Sequence, residues 1–144
     1  MFIDTNLFVA ACNALAPDNE RARALLARVQ ADALPCRISR QVMREYLAAA
    51  TRPQTWSCPL STIEALADVS WMEGAFEVLE DGPQVMDTLA RLCREIPMGG
   101  KQVHDANIVA TMLTHGERRL LTFNIRDFRR FAAHIDIVDP AAAA

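Results

Sequence analysis

The chain has 144 residues, 51% of them hydrophobic and 23% charged, the balance of a folded domain rather than a disordered one. No apolar run approaches the roughly 20 residues that a membrane-spanning helix needs, and a net charge of −3 excludes a protein that coats nucleic acid by charge alone. Cys12, Cys36, Cys58 and Cys93 are scattered without a C-x-x-C pair, as expected of free thiols, and the start carries no basic stretch followed by an apolar run. The expected location is therefore cytoplasmic.

"MFID" reads as a short buried strand that ends on the carboxylate of Asp4. "LFVAACNALA" follows as a helical turn or two, stopping near Pro17. Asp18 is then placed to cap a helix over 19–33, where Ala22, Leu25, Leu26 and Val29 make one apolar stripe at helical spacing. "PCRIS" is a second strand. Ser39 can cap the helix over 40–51, whose apolar face runs through Val42, Met43, Tyr46, Leu47 and Ala50, and Arg52-Pro53 ends it.

Beyond a less patterned stretch, "STIEALADVSWM" is helical with Ser61 or Thr62 as its cap, and "AFEVLE" is a short strand. Residues 81–96 form a helix with Pro83 in its first turn and Val85, Leu89, Leu92 and Ile96 on its buried face. "PMGGK" connects it to a helix over 102–116, which Gly116 terminates. "RRLLTF" is a strand, "IRDFRRF" a short helix and "IDIVD" a last strand. With no internal repeat or linker, the expectation is one domain over 1–140 and a frayed tail over 141–144.

Short, continuously apolar strands alternating with helices predict an α/β sandwich around a mainly parallel sheet. In such sheets ligands bind beyond the carboxyl ends of the strands. That rule brings Asp4, Asn124 and Asp127 to one rim. Two helical acids face the same question: Glu45, at the border of an apolar face, and Asp105, in the first turn of its helix. Each acid has an ordinary alternative. Glu45 could pair with Arg40 or Arg44, Asp105 could serve the helix start, and Asp4 could cap the helix that follows.

In combination, "FIDTN", "MREYL", "VHDANIVA" and "LLTFNIRDF" resemble, in this order and at these separations, the motifs of the PIN domain family, with VapC-type toxins of bacterial toxin–antitoxin pairs as the nearest branch. The resemblance implies a PIN-like three-layer α/β/α sandwich and an endoribonuclease whose carboxylates hold Mg2+ or Mn2+. Asp4, Glu45 and Asp105 match the family's three core acidic positions. At the fourth, where many members carry an acid soon after the "LLT" strand, this chain has Asn124 with Asp127 three residues on, and either could serve. Asn6 and Thr122 match positions that support the acids by hydrogen bonding. The strand has only three residues before Asp4, shorter than in many relatives, which suggests a start upstream.

The residue types agree with that chemistry. Hard divalent cations prefer oxygen ligands, and packed carboxylates repel one another unless a cation sits among them. Between Glu117 and Phe131 lie Arg118, Arg119, Arg126, Arg129 and Arg130. Arg126, Arg129 and Arg130, with Lys101 from the other side, are expected to hold RNA phosphates, the alternative being a solvated helix face. His104 is read as a capping or substrate-side residue.

The implied partners are an RNA such as transfer RNA, a cognate antitoxin and a second copy of the chain. The apolar Leu7, Phe8, Leu25, Leu26 and Val29 suggest the dimer, though a simple core accounts for them equally. Alternatives are a PIN nuclease of RNA processing outside any toxin system and an inactive module that only binds RNA or protein. An aspartyl-phosphate phosphatase is set aside because it needs a second acid where Asn6 stands.

Overall fold

In the computed structural model, which describes residues 1–32 and 35–141, five short strands form one sheet. They are β1 (Phe2–Ile3), β2 (Arg37–Ser39), β3 (Glu77–Leu79), β4 (Arg119–Leu121) and β5 (Asp136–Val138), in the order β3-β2-β1-β4-β5 and parallel at every pairing. Such strands are apolar because both faces of the sheet are covered. Phe2, Ile3, Ile38, Leu120 and Leu121 have no exposed surface.

Seven α-helices cross between the strands in the described residues: α1 (Thr5–Cys12), α2 (Asn19–Ala31), α3 (Arg40–Ala50), α4 (Thr62–Ala75), α5 (Pro83–Glu95), α6 (Gln102–Thr114) and α7 (Ile125–Phe128). The chain steps from β1 outward to β2 and β3, then returns past β1 to β4 and β5. Right-handed crossovers therefore put α1 to α4 on one face and α5 and α6 on the other, giving three layers. The reversal falls between β1 and β4. That is the switch point where α/β sheets bind ligands.

Local signals explain most boundaries. Ser39 accepts from the Val42 amide at 3.4 Å, and Ser61 with Glu64 forms a reciprocal capping box at the start of α4. Pro83 opens α5, and Gly116 follows α6 at φ +69°, a left-handed conformation suited to glycine.

Other expectations are corrected. The first helix starts at Thr5 rather than Leu7 and stops at Cys12. Asp18 makes no capping hydrogen bond, because its backbone (φ −96°, ψ 14°) is not the extended one from which a cap reaches over the first turn. Asn19 instead donates to the carbonyls of Ala10 and Ala11, at 2.9 Å each, tying α2 to α1. The helix expected over 19–33 ends at Ala31, and residue 33 lies outside the described residues, as does the tail beyond 141.

Leu7, Phe8, Leu25, Leu26 and Val29, read above as a possible dimer surface, are each at most 4% exposed in the single chain. They are core, and lend a dimer no support.

Candidate functional site

The parallel pairing of β1 with β4 aligns Ile3 with Leu121, and the next residue on each strand, Asp4 and Thr122, continues past the sheet. The Asp4 amide bonds the Leu121 carbonyl at 3.0 Å, so the backbone fixes where the carboxylate stands. Its Oδ2 accepts from Thr122 Oγ1 at 2.6 Å and Asn6 Nδ2 at 2.7 Å. Its Oδ1 accepts from the Thr5 amide at 2.7 Å. Asp4 thus also caps α1, the role its position alone suggested.

Asn6 links further to Thr122 Oγ1 at 3.0 Å and takes the Phe123 amide at 3.1 Å on its own oxygen. The Asn124 amide closes onto Thr122 Oγ1 at 2.9 Å. The two residues at supporting positions, Asn6 and Thr122, meet on one carboxylate.

Asp4 is only 5% exposed. Burial is the main force pushing its carboxyl up to about 6. The charges of Glu45 and Asp105 add to it, against the hydrogen bonds from Thr122 and the Thr5 amide. Asp105 is half-buried, and its carboxyl is also raised, first by burial and then by the charges of Asp127 and Glu45, with Arg130 and His104 opposing. Asp105 therefore links the four acids, lying within the fields of Glu45 and Asp127 while its own charge acts on Asp4.

Glu45 pairs with neither Arg40 nor Arg44. Its Oε2 accepts from Thr5 Oγ1 at 2.8 Å and its Oε1 from Gln41 Nε2 at 2.7 Å, while Arg40 bridges Glu73 and Glu80. Gln41, four residues before Glu45 on α3, also donates to the His104 carbonyl at 2.9 Å. It accepts from Asn107 Nδ2 at 2.8 Å. This buried amide joins α3 to α6 and hence Glu45 to the turn carrying Asp105. Thr5, Gln41 and Asn107 escaped the sequence reading. Only the four-residue spacing of Gln41 to Glu45 along one helix face was available as a signal.

At the fourth position Asn124 donates its side-chain amide to Asp127 Oδ2 at 2.6 Å, and it is the Asp127 charge that Asp105 senses. Arg130 donates to the Asp127 carbonyl at 3.2 Å and sits close enough to Asp105 to oppose its protonation. Arg126, Arg129 and Lys101 are exposed. Arg118 and Arg119 lie at the amino end of β4, away from this rim, so the basic stretch is split between opposite ends of the strand.

Among the described residues no three acid, histidine or cysteine side chains form a ready-made metal cage. The donor set nevertheless fits Mg2+ or Mn2+, which take oxygen ligands. Magnesium in particular is usually held by one or two carboxylates and keeps several waters. The raised carboxyls of Asp4 and Asp105 mark a place where positive charge would be welcome.

A parallel five-stranded sheet with acids gathered at its switch point defines a class of α/β protein. The chain belongs to the PIN domain family, whose model matches residues 1–134. No curated protein matches it by sequence. Among solved structures it is similar to VapC20 of Mycobacterium tuberculosis, a toxin that cleaves the Sarcin-Ricin loop, with a TM-score of 0.72 and 18% identity over 96% of this chain and 98% of that one. VapBC-1 of nontypeable Haemophilus influenzae gives 0.68 and 17% over 97% of each chain. DNA-bound VapBC of Salmonella typhimurium gives 0.66 and 23% over 96% of each. At these identities the likeness is one of fold.

Proposed function

We propose that this chain, as a single domain over 1–140, is a Mg2+- or Mn2+-dependent endoribonuclease and the toxin of a VapBC-like pair. The observation that carries the reading is the buried Asp4 carboxylate, held by Thr122 and Asn6 at the sheet's switch point within the fields of Glu45 and Asp105, the latter in turn within that of Asp127. A structural role alone gives no reason to crowd acids there.

Asp4, Glu45 and Asp105 would hold the cation. Asp127 would fill the fourth position, with Asn124 turning its carboxylate by the 2.6 Å hydrogen bond. Bound there, Mg2+ or Mn2+ lowers the pKa of a water and steadies the charge that develops on the phosphate oxygens. Asn6 and Thr122 fix the Asp4 carboxylate, while Thr5 and Gln41 hold both oxygens of Glu45. Arg126, Arg129, Arg130 and Lys101 would steady phosphates beside the acids without reading sequence.

The proposed substrate is RNA, transfer RNA included. A cognate antitoxin is supported by the toxin–antitoxin complexes among the structural neighbours. A homodimer rests on the family resemblance, and a cytoplasmic location on composition.

The decisive experiment incubates the protein with total transfer RNA and Mg2+ or Mn2+, beside a chelator control and an Asp4→Asn variant. Cleavage is expected only with metal and an intact Asp4. Metal-independent cleavage, or full activity in the variant, overturns the mechanism. Asn124, standing where many family members carry an acid, favours one second reading, an inactive PIN module that binds RNA or protein. Binding without cleavage under every metal would select it.

A further inference from the structure

Beside the acids, a cleft of about 460 Å³ opens between α3 on one side and α5 and α6 on the other, with Glu45 on its rim. Its wall carries Ala48 from α3, Leu89 from α5 and Val103 from α6, an apolar surface. Over it stand two planar groups, the Arg44 guanidinium and the His104 imidazole, both on exposed residues. Arg40, one turn earlier on α3, is committed to Glu73 and Glu80, whereas Arg44 enters no ion pair among the described residues. The structural framework of the cleft does not employ it.

The far side of the cleft presents one polar atom in a fixed sense. Asn107 donates through Nδ2 to Gln41 Oε1 at 2.8 Å and to Asp81 Oδ2 at 3.0 Å. Both amide hydrogens are thereby spoken for. Its Oδ1 has no protein donor among the described residues and is not a buried orphan, so it remains an acceptor open to solvent. An apolar wall, two planar side chains and an acceptor are the groups that bind an unpaired base, which stacks on histidine or arginine planes and hydrogen-bonds along its edge. The volume falls within the range of small-ligand sites and suits one nucleotide.

We infer that the α3–α5–α6 cleft is a nucleotide subsite, taking one unpaired base of a single-stranded RNA next to the bond held at the acids, with Arg44 and His104 stacking it and Asn107 Oδ1 accepting from its edge. This rests on the endoribonuclease reading and extends it. The arginines of the α7 region hold the strand on one side of the acids, and this cleft reads a base on the other.

The test measures equilibrium binding of a fluorescent 12-nucleotide unstructured RNA in EDTA, so that cleavage does not intervene. A single abasic residue is moved along the strand. Arg44 and His104 are exposed, so the Arg44→Ala/His104→Ala double variant is expected to melt at the wild-type temperature. For the wild type, an abasic residue at one position should weaken binding about tenfold. The double variant should bind the intact RNA about tenfold more weakly and lose its sensitivity to that position.

Wild-type binding with no abasic-sensitive position overturns the subsite, as does a double variant that binds RNA like the wild type. In the second case the cleft is left to a partner polypeptide. Cleavage by the wild type with metal is scored separately. A subsite that binds RNA in a protein that never cleaves it keeps this inference and sinks the nuclease reading, and cleavage with an indifferent cleft does the reverse.

Discussion

The two halves of the acid rim are built differently. Asp4 and Glu45 are held from the protein side, with five hydrogen bonds of 2.6 to 2.8 Å shared between their four oxygens. Asp105 and Asp127 stand on the opposite side, where the Asn124 amide on Asp127 is the one side-chain hydrogen bond that either carboxylate receives among the described residues. In the first half Asp4 follows from strand register, and Glu45, within α3, is fixed by Thr5 and Gln41. The second sits on the first turn of α6 and on the short α7, with fewer side-chain hydrogen bonds to its carboxylates. Under the proposed nuclease reading, a braced half and a less constrained half would suit a site that grips a cation and still admits a bulky phosphodiester.

The sharpest way to break this contrast is to neutralise one acid from each half. Asp4→Asn should lower RNA cleavage by about a thousandfold, while Asp127→Asn, on the less constrained side, should cost about tenfold. Steady-state rates with saturating Mn2+ measure both, and equal losses would erase the distinction. Thr122→Val comes next. It removes the 2.6 Å donor from Asp4 with little change in volume, and it should weaken metal affinity by about 10- to 100-fold, read by calorimetric titration.

The third test uses protons. In chelator, the Asp4 carboxyl titrates near 6 in the folded chain, above its ordinary value of 3.8. Protonation therefore favours the fold. This contribution is complete below the unfolded value and is lost as pH rises through about 6, on the order of 3 kcal/mol. Thermal melts of the metal-free protein should show that decline, and Asp4→Asn should flatten it. Saturating metal should oppose it, since a cation binds the deprotonated form.

The smallest effect is expected from the Arg126/Arg129/Arg130 triple alanine variant. At low salt it should bind RNA several-fold more weakly, with a log–log salt slope shallower by about 2. An unchanged slope would show that these arginines form only a solvated face.

The sequence made the rim's members visible but hid what binds them together. Asp4, Ser39, Asp105 and Gly116 each sit at an element boundary, where a cap or a glycine leaves a local mark. The sheet followed from short apolar strands alternating with helices. Gln41 shows no such mark: its amide matters because α3 and α6 approach each other across 63 residues of chain, which no local pattern encodes. Thr5 stood outside a helix expected to start at Leu7, and nothing local ties its hydroxyl to Glu45, 40 residues on. Asp18 misled in the opposite sense, because a cap needs extended backbone and the turn after Pro17 does not supply it. Leu7, Phe8, Leu25, Leu26 and Val29 could be assigned to core or interface only once their exposure was known.

The position of β1 between β2 and β4 has a consequence for synthesis. Thr122, which donates to Asp4, is separated from it by 118 residues, so that hydrogen bond waits until nearly the whole chain has been translated. At about 5 to 20 residues per second that interval lasts roughly 6 to 24 s. Under the proposed nuclease reading, a nascent chain of this topology would lack the Asp4–Thr122 contact while it is still on the ribosome. The proposed site would then be complete only once β4 pairs with β1, after the ribosomal RNA around it has done its work.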